Sequence, residues 1–460
     1  MGRARSICLA LSVAACNGGG DSDDDTTGTT TAPTTSAATT VTTTTTTVDP
    51  DTGSTTDTAC PSPVVGCPCG PGGTCDVGEC TGGMCVSIPT TSATETSSDS
   101  STDETVGPTM CGDGNAQPGE LCFGPPTVLM MGAAPSDVAL GNFDGDPALD
   151  LVTANRDDDQ IALRLGNGAG SFGVRTAAGV GAAPVGLTVG DFDGDGHNDV
   201  VTVGSGASTI SWLRGASNGG FTAAGDFATG MTPLAITSTD FAANGRADVV
   251  VANSVDNTIG VLLATDVPFA AMVPAAVGVT PRSVALADVT DDGDLDLLVA
   301  NSGADSIGLL LGNGNGQFGA AVAFPVGDEP RAVVGGDVNG DNLGDAITCE
   351  GSGTLTRLLG NGLGSLGAAL PFGNASAPSD VVLVDLDIDG DLDLVVASTG
   401  DNTLRLVLND GDGGFDEALQ IVTGASPVAI AVGDVDGDGL VDLVSADQGG
   451  ATVTVVLSDA

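Results

Sequence analysis

Tyrosine is absent from this chain, tryptophan and histidine occur once each, and 11 basic residues face 60 acidic ones among 460 positions. The resulting net charge of −49 excludes binding to phosphate backbones and anionic headgroups, because such binding depends on Lys and Arg displacing counter-ions. No apolar run approaches the roughly 18 residues that a bilayer-spanning helix requires. Any membrane attachment therefore has to come through a lipid. A His-Glu-x-x-His run does not occur, and the single His197 leaves little material for general acid–base work. Aromatic residues make up 3% of the chain while Gly fills 71 positions. The core must then be assembled from Ala, Val and Leu in close contact, which suits sheets better than helices.

Residues 1–15 have the layout of a signal peptide, with Arg3 and Arg5, an apolar stretch from Ile7 to Ala14, and small residues ahead of Cys16. Val13-Ala14-Ala15-Cys16 resembles the lipobox of bacterial lipoproteins. That likeness implies lipidation of Cys16, export, and anchoring in the bacterial cell envelope, with Asn17 fitting the outer membrane or cell surface. The competing local signal is Met1-Gly2 with Ser6, a myristoylation pattern that leaves Cys16 without a role. Residues 16–59 form a lipid-anchored Thr-rich linker, including six consecutive threonines from Thr42 to Thr47. Such a segment buries too little apolar surface to offset its ordering entropy and is expected as a disordered stalk. A second Ser/Thr-rich linker covers 87–110. Between the linkers, six cysteines from Cys60 to Cys85 mark 60–86 as a small disulfide-rich segment, with a metal site using Cys67 and Cys69 as the alternative. Residues 111–126 hold the pair Cys111 and Cys122, and Cys349 sits in an apolar run, expected as a buried free thiol.

From 127 to 460 one acidic motif recurs seven times, beginning at Asn142, Asp191, Asp240, Asp288, Asp337, Asp385 and Asp434, at intervals of 49, 49, 48, 49, 48 and 49 residues. Each period holds four short runs rich in Val, Leu, Ala and Ile, separated by Gly, Asn and Asp turns. A four-stranded antiparallel sheet per repeat is a propeller blade, so the expected fold is an all-β, seven-bladed β-propeller. The last repeat ends after its third strand. Thr127 to Met131 lies just ahead of the first repeat and is expected to supply the missing strand, sealing the ring without an open edge.

The acidic motif places carboxylates at alternate positions of a tight loop, as in Asp191, Asp193 and Asp195, and closes with Asp199 at the start of the next strand. This charge calls for a hard cation that takes six to eight oxygens, Ca²⁺ in preference to Mg²⁺. No Glu stands at the twelfth position, so the loop is not an EF-hand. The runs "GDFDGDGHNDVV", "GDVDGDGLVDLV" and "LLGNGNGQFGAAV" resemble FG-GAP/VCBS repeats, the family that includes the integrin α-chain propeller. The resemblance implies Ca²⁺ held by the loop between the first two strands of a blade. Full ligand sets are Asp191, Asp193, Asp195 and Asp199; Asp385, Asp387, Asp389 and Asp393; and Asp434, Asp436, Asp438 and Asp442. Partial sets are Asp288, Asp292 and Asp296 with Thr290 between them, and Asp337, Asn339, Asp341 and Asp345, and both are still expected to bind, more weakly than the full sets. Repeat 1 offers Asp144, Asp146 and Asp150 but has Pro147 where a left-handed residue is needed. Repeat 3 keeps Asp240, Asn244 and Asp248 with Ala242 in place of a ligand, and is expected to be empty or weak.

In the integrin relatives the opposite face binds ligands. Here that face would be built from the turns at 155–160, 253–258, 301–306 and 398–403, which contain no aromatic residue and so favour weak or multivalent contacts. The expected function is a calcium-binding, surface-displayed module for adhesion to a surface protein or polysaccharide, acting as a monomeric ring and not as an enzyme. Two other readings remain open: a glycan-acting hydrolase or lyase using carboxylates of the propeller face, and a passive structural spacer of the envelope. Trp212 is expected to pack between sheets.

Overall fold

The computed structural model describes residues 79–81, 84–86, 121–265 and 269–459. The signal peptide, Cys16, both polar linkers and Cys111 lie outside the described residues. Within residues 21–106, a unit of its own, Glu79–Thr81 pairs antiparallel with Met84–Val86.

Seven four-stranded antiparallel sheets make up the rest. The first blade runs Pro135–Gly141, Asp150–Asn155, Gln160–Arg164 and Thr176–Gly179, and the next five repeat that order. The seventh combines Pro427–Gly433, Asp442–Asp447 and Thr452–Val456 with Thr127–Met130 from the other end of the propeller. Among the described residues the only helical element is one 3₁₀ turn at Gln448–Gly450.

The order of burial follows from position in the ring. Every second strand is buried along its whole length, because it has a strand on each side and a neighbouring blade on each face. Val, Leu and Ala fill these strands, where branched side chains suit a pleated surface. The fourth strands form the outer rim and are mostly exposed. Each innermost strand begins with proline, from Pro135 to Pro427. A missing N–H costs nothing at a strand's first residue on the axial edge. The residue before each of these prolines is left-handed, at φ 47° to 56°, although none is glycine.

Innermost strands touch their neighbours all the way round, including that of blade 7 against that of blade 1. The expected closure is present: Thr127 to Met130 pair with Val455 to Thr452. The seal also reaches further back than Thr127. Phe123 bridges Ser458, and Gly124 N–H donates to the Leu457 carbonyl at 2.8 Å. Gly173, Gly319 and Gly367 make the same bond to Leu165, Leu311 and Leu359 within single blades. Cys122-Phe123-Gly124 is thus the seventh copy of a turn that reads Ser171-Phe172-Gly173 in blade 1. Cys122 is buried and disulfide-bonded, while Cys349 is a buried free thiol as expected.

Candidate metal centres

Each acidic loop joins the first and second strands of a blade. Its last Asp starts the second strand, and strand pairing carries it into the interior. From there it binds two parts of the backbone. Asp199 Oδ2 accepts the N–H of Phe192 at 3.2 Å, and its Oδ1 accepts that of Gly215, in the turn after the third strand, at 2.7 Å. Gly215 allows this approach because a Cβ there would lie 2.0 Å from the Asn198 carbonyl oxygen. The same pair of bonds recurs at Asp150, Asp248, Asp296, Asp345, Asp393 and Asp442. Acidic loops and third-to-fourth-strand turns therefore share one face of the ring. Burial, only partly offset by these N–H bonds, pushes Asp199, Asp345 and Asp393 up to about 6 and raises Asp150, Asp248, Asp296 and Asp442 in the same direction.

In three loops the carboxylates converge. Asp191, Asp193 and Asp199 bring one oxygen each to within 4.8 Å of the others, as do Asp385, Asp387 and Asp393, and Asp434, Asp436 and Asp442. Oxygens on opposite sides of one Ca²⁺, each about 2.4 Å away, are about 4.8 Å apart. The clusters therefore have the dimensions to hold one cation each. They are the three loops with complete ligand sets in the sequence. In the blade 6 cluster, Oδ1 of Asp387 is buried and has no hydrogen-bond partner, and the same is true of Oδ1 of Asp385. Buried charged oxygens left without donors are costly unless a cation takes them up.

The fifth loop position behaves otherwise. Asp195, Asp389 and Asp438 stand outside the clusters, and each accepts the N–H two residues on, from His197, Asp391 and Leu440, at 2.8 to 2.9 Å. In blades 4 and 5 the third position is Thr290 and Asn339, and no carboxylate triad forms there. Asp292 and Asp341 cap Asp294 and Leu343, Asp288 accepts the N–H of Gly293, and Asp337 that of Asn342. In blade 1, Asp146 caps Ala148 and Asp144 accepts the N–H of Asp146. The sixth loop residue is left-handed in blades 2 to 7, a conformation closed to Pro147.

Two residues at the blade 2 cluster were not legible as site residues. Trp212 is buried as expected, yet it also donates its indole N–H to Asp199 Oδ2 at 3.1 Å. Arg214 places Nε 2.5 Å from Asp193 Oδ2. The one available signal was the repeat itself, since the other six blades carry Leu where Arg214 stands.

On the opposite face, the turn residues hold the connections into the next blade. Asp159, Asn257, Asp305 and Asn402 accept the N–H groups of Ala183, Thr280, Glu329 and Ser426, the left-handed residues before the inner strands, at 2.7 to 2.9 Å. Gly215-Ala216-Ser217-Asn218-Gly219 has the Gly-x-Ser-x-Gly order of a hydrolase nucleophile elbow. That elbow requires a strand-to-helix turn, whereas this run joins two strands.

A family model described as an FG-GAP-like repeat matches residues 142–202, 191–251, 288–348 and 385–445. Each match spans two successive acidic loops, and together they take in all seven. No curated protein matches the chain. Among solved structures, BBS1N in complex with ARL6DN, soaked with lead, has a TM-score of 0.54 at 14% identity, covering 74% of this chain and 97% of that one. A mercury-soaked crystal of the same complex has a TM-score of 0.53 at 14% identity, covering 74% and 96%. At that identity the likeness is one of fold.

Proposed function

Because this chain belongs to the FG-GAP-like repeat family, we propose that it is a calcium-stiffened interaction module, exported and held to the cell envelope through a lipid on Cys16. The observation that carries the calcium assignment is the set of three carboxylate clusters with cation-sized spacing. Support comes from the orphaned oxygens of Asp385 and Asp387. Ca²⁺ would neutralise clustered carboxylates that otherwise repel one another, and by binding only the folded loops it would stabilise the ring. The partner would be a surface protein or polysaccharide. A protein is the first to test, since BBS1N, a propeller of like fold, was crystallised with ARL6DN.

In this proposal the aspartates are ligands and no residue is assigned catalysis. His197, the one histidine, sits in the blade 2 loop with its backbone N–H on Asp195. The test is calorimetric titration of the chelator-treated chain with Ca²⁺, with thermal melting alongside and a pull-down of envelope proteins and polysaccharides. Heat of binding, a higher melting temperature in millimolar Ca²⁺, and a captured partner are expected. Identical melting with Ca²⁺ and with chelator would overturn the calcium assignment, and glycan cleavage by the purified chain would overturn the non-catalytic one.

A further inference from the structure

The residue ahead of the turn between third and fourth strands is Leu165, Leu263, Leu311, Leu359, Leu408 and Leu457 in six blades and arginine only in the second. Arg214 directs Nε to Asp193 Oδ2 at 2.5 Å, and its guanidinium carbon lies 5.1 Å from the centre of the Trp212 ring. That distance is within the range of a cation–π contact, so the indole helps fix the charge in place. The other oxygen of Asp193, Oδ1, accepts the N–H of Asp195 at 3.2 Å. Both oxygens of this cluster member are therefore engaged. In blade 6 the corresponding Asp387 keeps a buried oxygen without a partner. Among the described residues, no arginine forms an ion pair with the carboxylates of the blade 6 or blade 7 clusters.

A metal ion entering the blade 2 cluster meets a positive charge already seated on one of its three carboxylates. It must displace the guanidinium or accept its repulsion, and either reduces the net gain on binding. We propose that Arg214 is a built-in counter-ion that sets the cation affinity of the Asp191, Asp193 and Asp199 cluster below that of the clusters in blades 6 and 7. The inference rests on the calcium assignment above and adds a ranking that the ligand sets alone do not contain.

The test uses Tb³⁺, an oxygen-seeking stand-in for Ca²⁺ whose emission is sensitised by a nearby indole. The chain has one tryptophan and no tyrosine, and Trp212 is hydrogen-bonded to the cluster through Asp199. Emission excited in the indole band therefore reads blade 2. The full chain, Arg214→Leu and Arg214→Gln are titrated with Tb³⁺, and Ca²⁺ stoichiometry is measured by calorimetry on each. Leucine is the residue the other blades use, and glutamine keeps a polar side chain should leucine disturb folding. The expected result is two tight Ca²⁺ sites in the natural chain, and an indole-sensitised midpoint roughly fivefold lower in Tb³⁺ for both variants. Equal midpoints in all three proteins, or no sensitised emission in any while Ca²⁺ binds elsewhere, overturn the role of Arg214 alone. A chain that takes up no Ca²⁺ at all overturns the calcium assignment instead.

Discussion

Asp442 holds Ser458 twice through one oxygen, accepting its backbone N–H at 2.8 Å and its hydroxyl at 3.0 Å. Ser458 in turn bridges Phe123. The candidate metal loop of the last blade is thus tied to the joint between the propeller's two ends. Met131 anchors the same joint from the core, with none of its surface exposed. Met131→Ala should therefore destabilise the ring by about 2–4 kcal/mol, the usual cost of emptying a buried site of that size. Denaturant unfolding in saturating Ca²⁺ measures it.

Asp137 and Asp380 occupy equivalent places in the innermost strands of blades 1 and 6. Each accepts an N–H from the next blade, of Leu187 at 2.7 Å and Ile430 at 2.9 Å. Burial raises both well above the ordinary carboxylate range, and Asp380 also feels Asp137 and the Cys349 thiol. A carboxyl with a raised folded value binds more protons folded than unfolded. The stability it contributes is full below about pH 4 and is lost as pH rises toward the folded value. The buried loop aspartates act in the same direction when no metal is bound. In chelator, stability should fall from pH 4 toward neutrality, and Asp380→Asn should make that fall shallower. Unfolding free energies at several pH values check the slope.

Thr232 is a β-branched residue held at φ 50°, where only glycine is free of steric cost. Its carbonyl accepts the N–H of Ser254 at 3.0 Å, a bond that does not need the side chain. Thr232→Gly should stabilise the ring by about 0.5–1 kcal/mol, the relief of the left-handed cost less the entropy glycine adds to the unfolded chain. A rise in the denaturation midpoint at constant m-value is the expected observation.

Cys349 lies in the second strand of blade 5 with no exposed surface. A thiol reagent should leave it untouched in the native ring and modify it at the rate of global or blade-scale opening. Stoichiometric labelling under native conditions, faster than unfolding, would contradict that burial.

The register of the ring was readable because its signals are local and repeated. Seven loops at a 48- to 49-residue spacing place each strand relative to the next, and the strand missing after Val456 had one candidate near residue 127. The three loops whose carboxylates converge were readable for the same reason. All their carboxylates fall within nine consecutive residues, so a Thr290, Asn339, Ala242 or Pro147 among them is visible along the chain, although the sequence by itself still leads one to expect binding in the loops with Thr290 and Asn339. The Phe123 turn was harder to see, because its partner Ser458 lies at the opposite end of the propeller and the cysteine before it suggested a separate segment.

Sequence alone was sufficient for the blade count, the order of strands, the closing segment and the loops that carry three convergent carboxylates, since each depends on spacing along the backbone. Tertiary structure decided which of those oxygens are already engaged. Trp212 and Arg214 reach the blade 2 cluster through strand pairing, and Asp137 and Asp380 reach across to neighbouring blades through packing of the ring. Whether a carboxylate is free to hold a cation depends on donors that come from other strands, and those are brought to it only when the sheet closes.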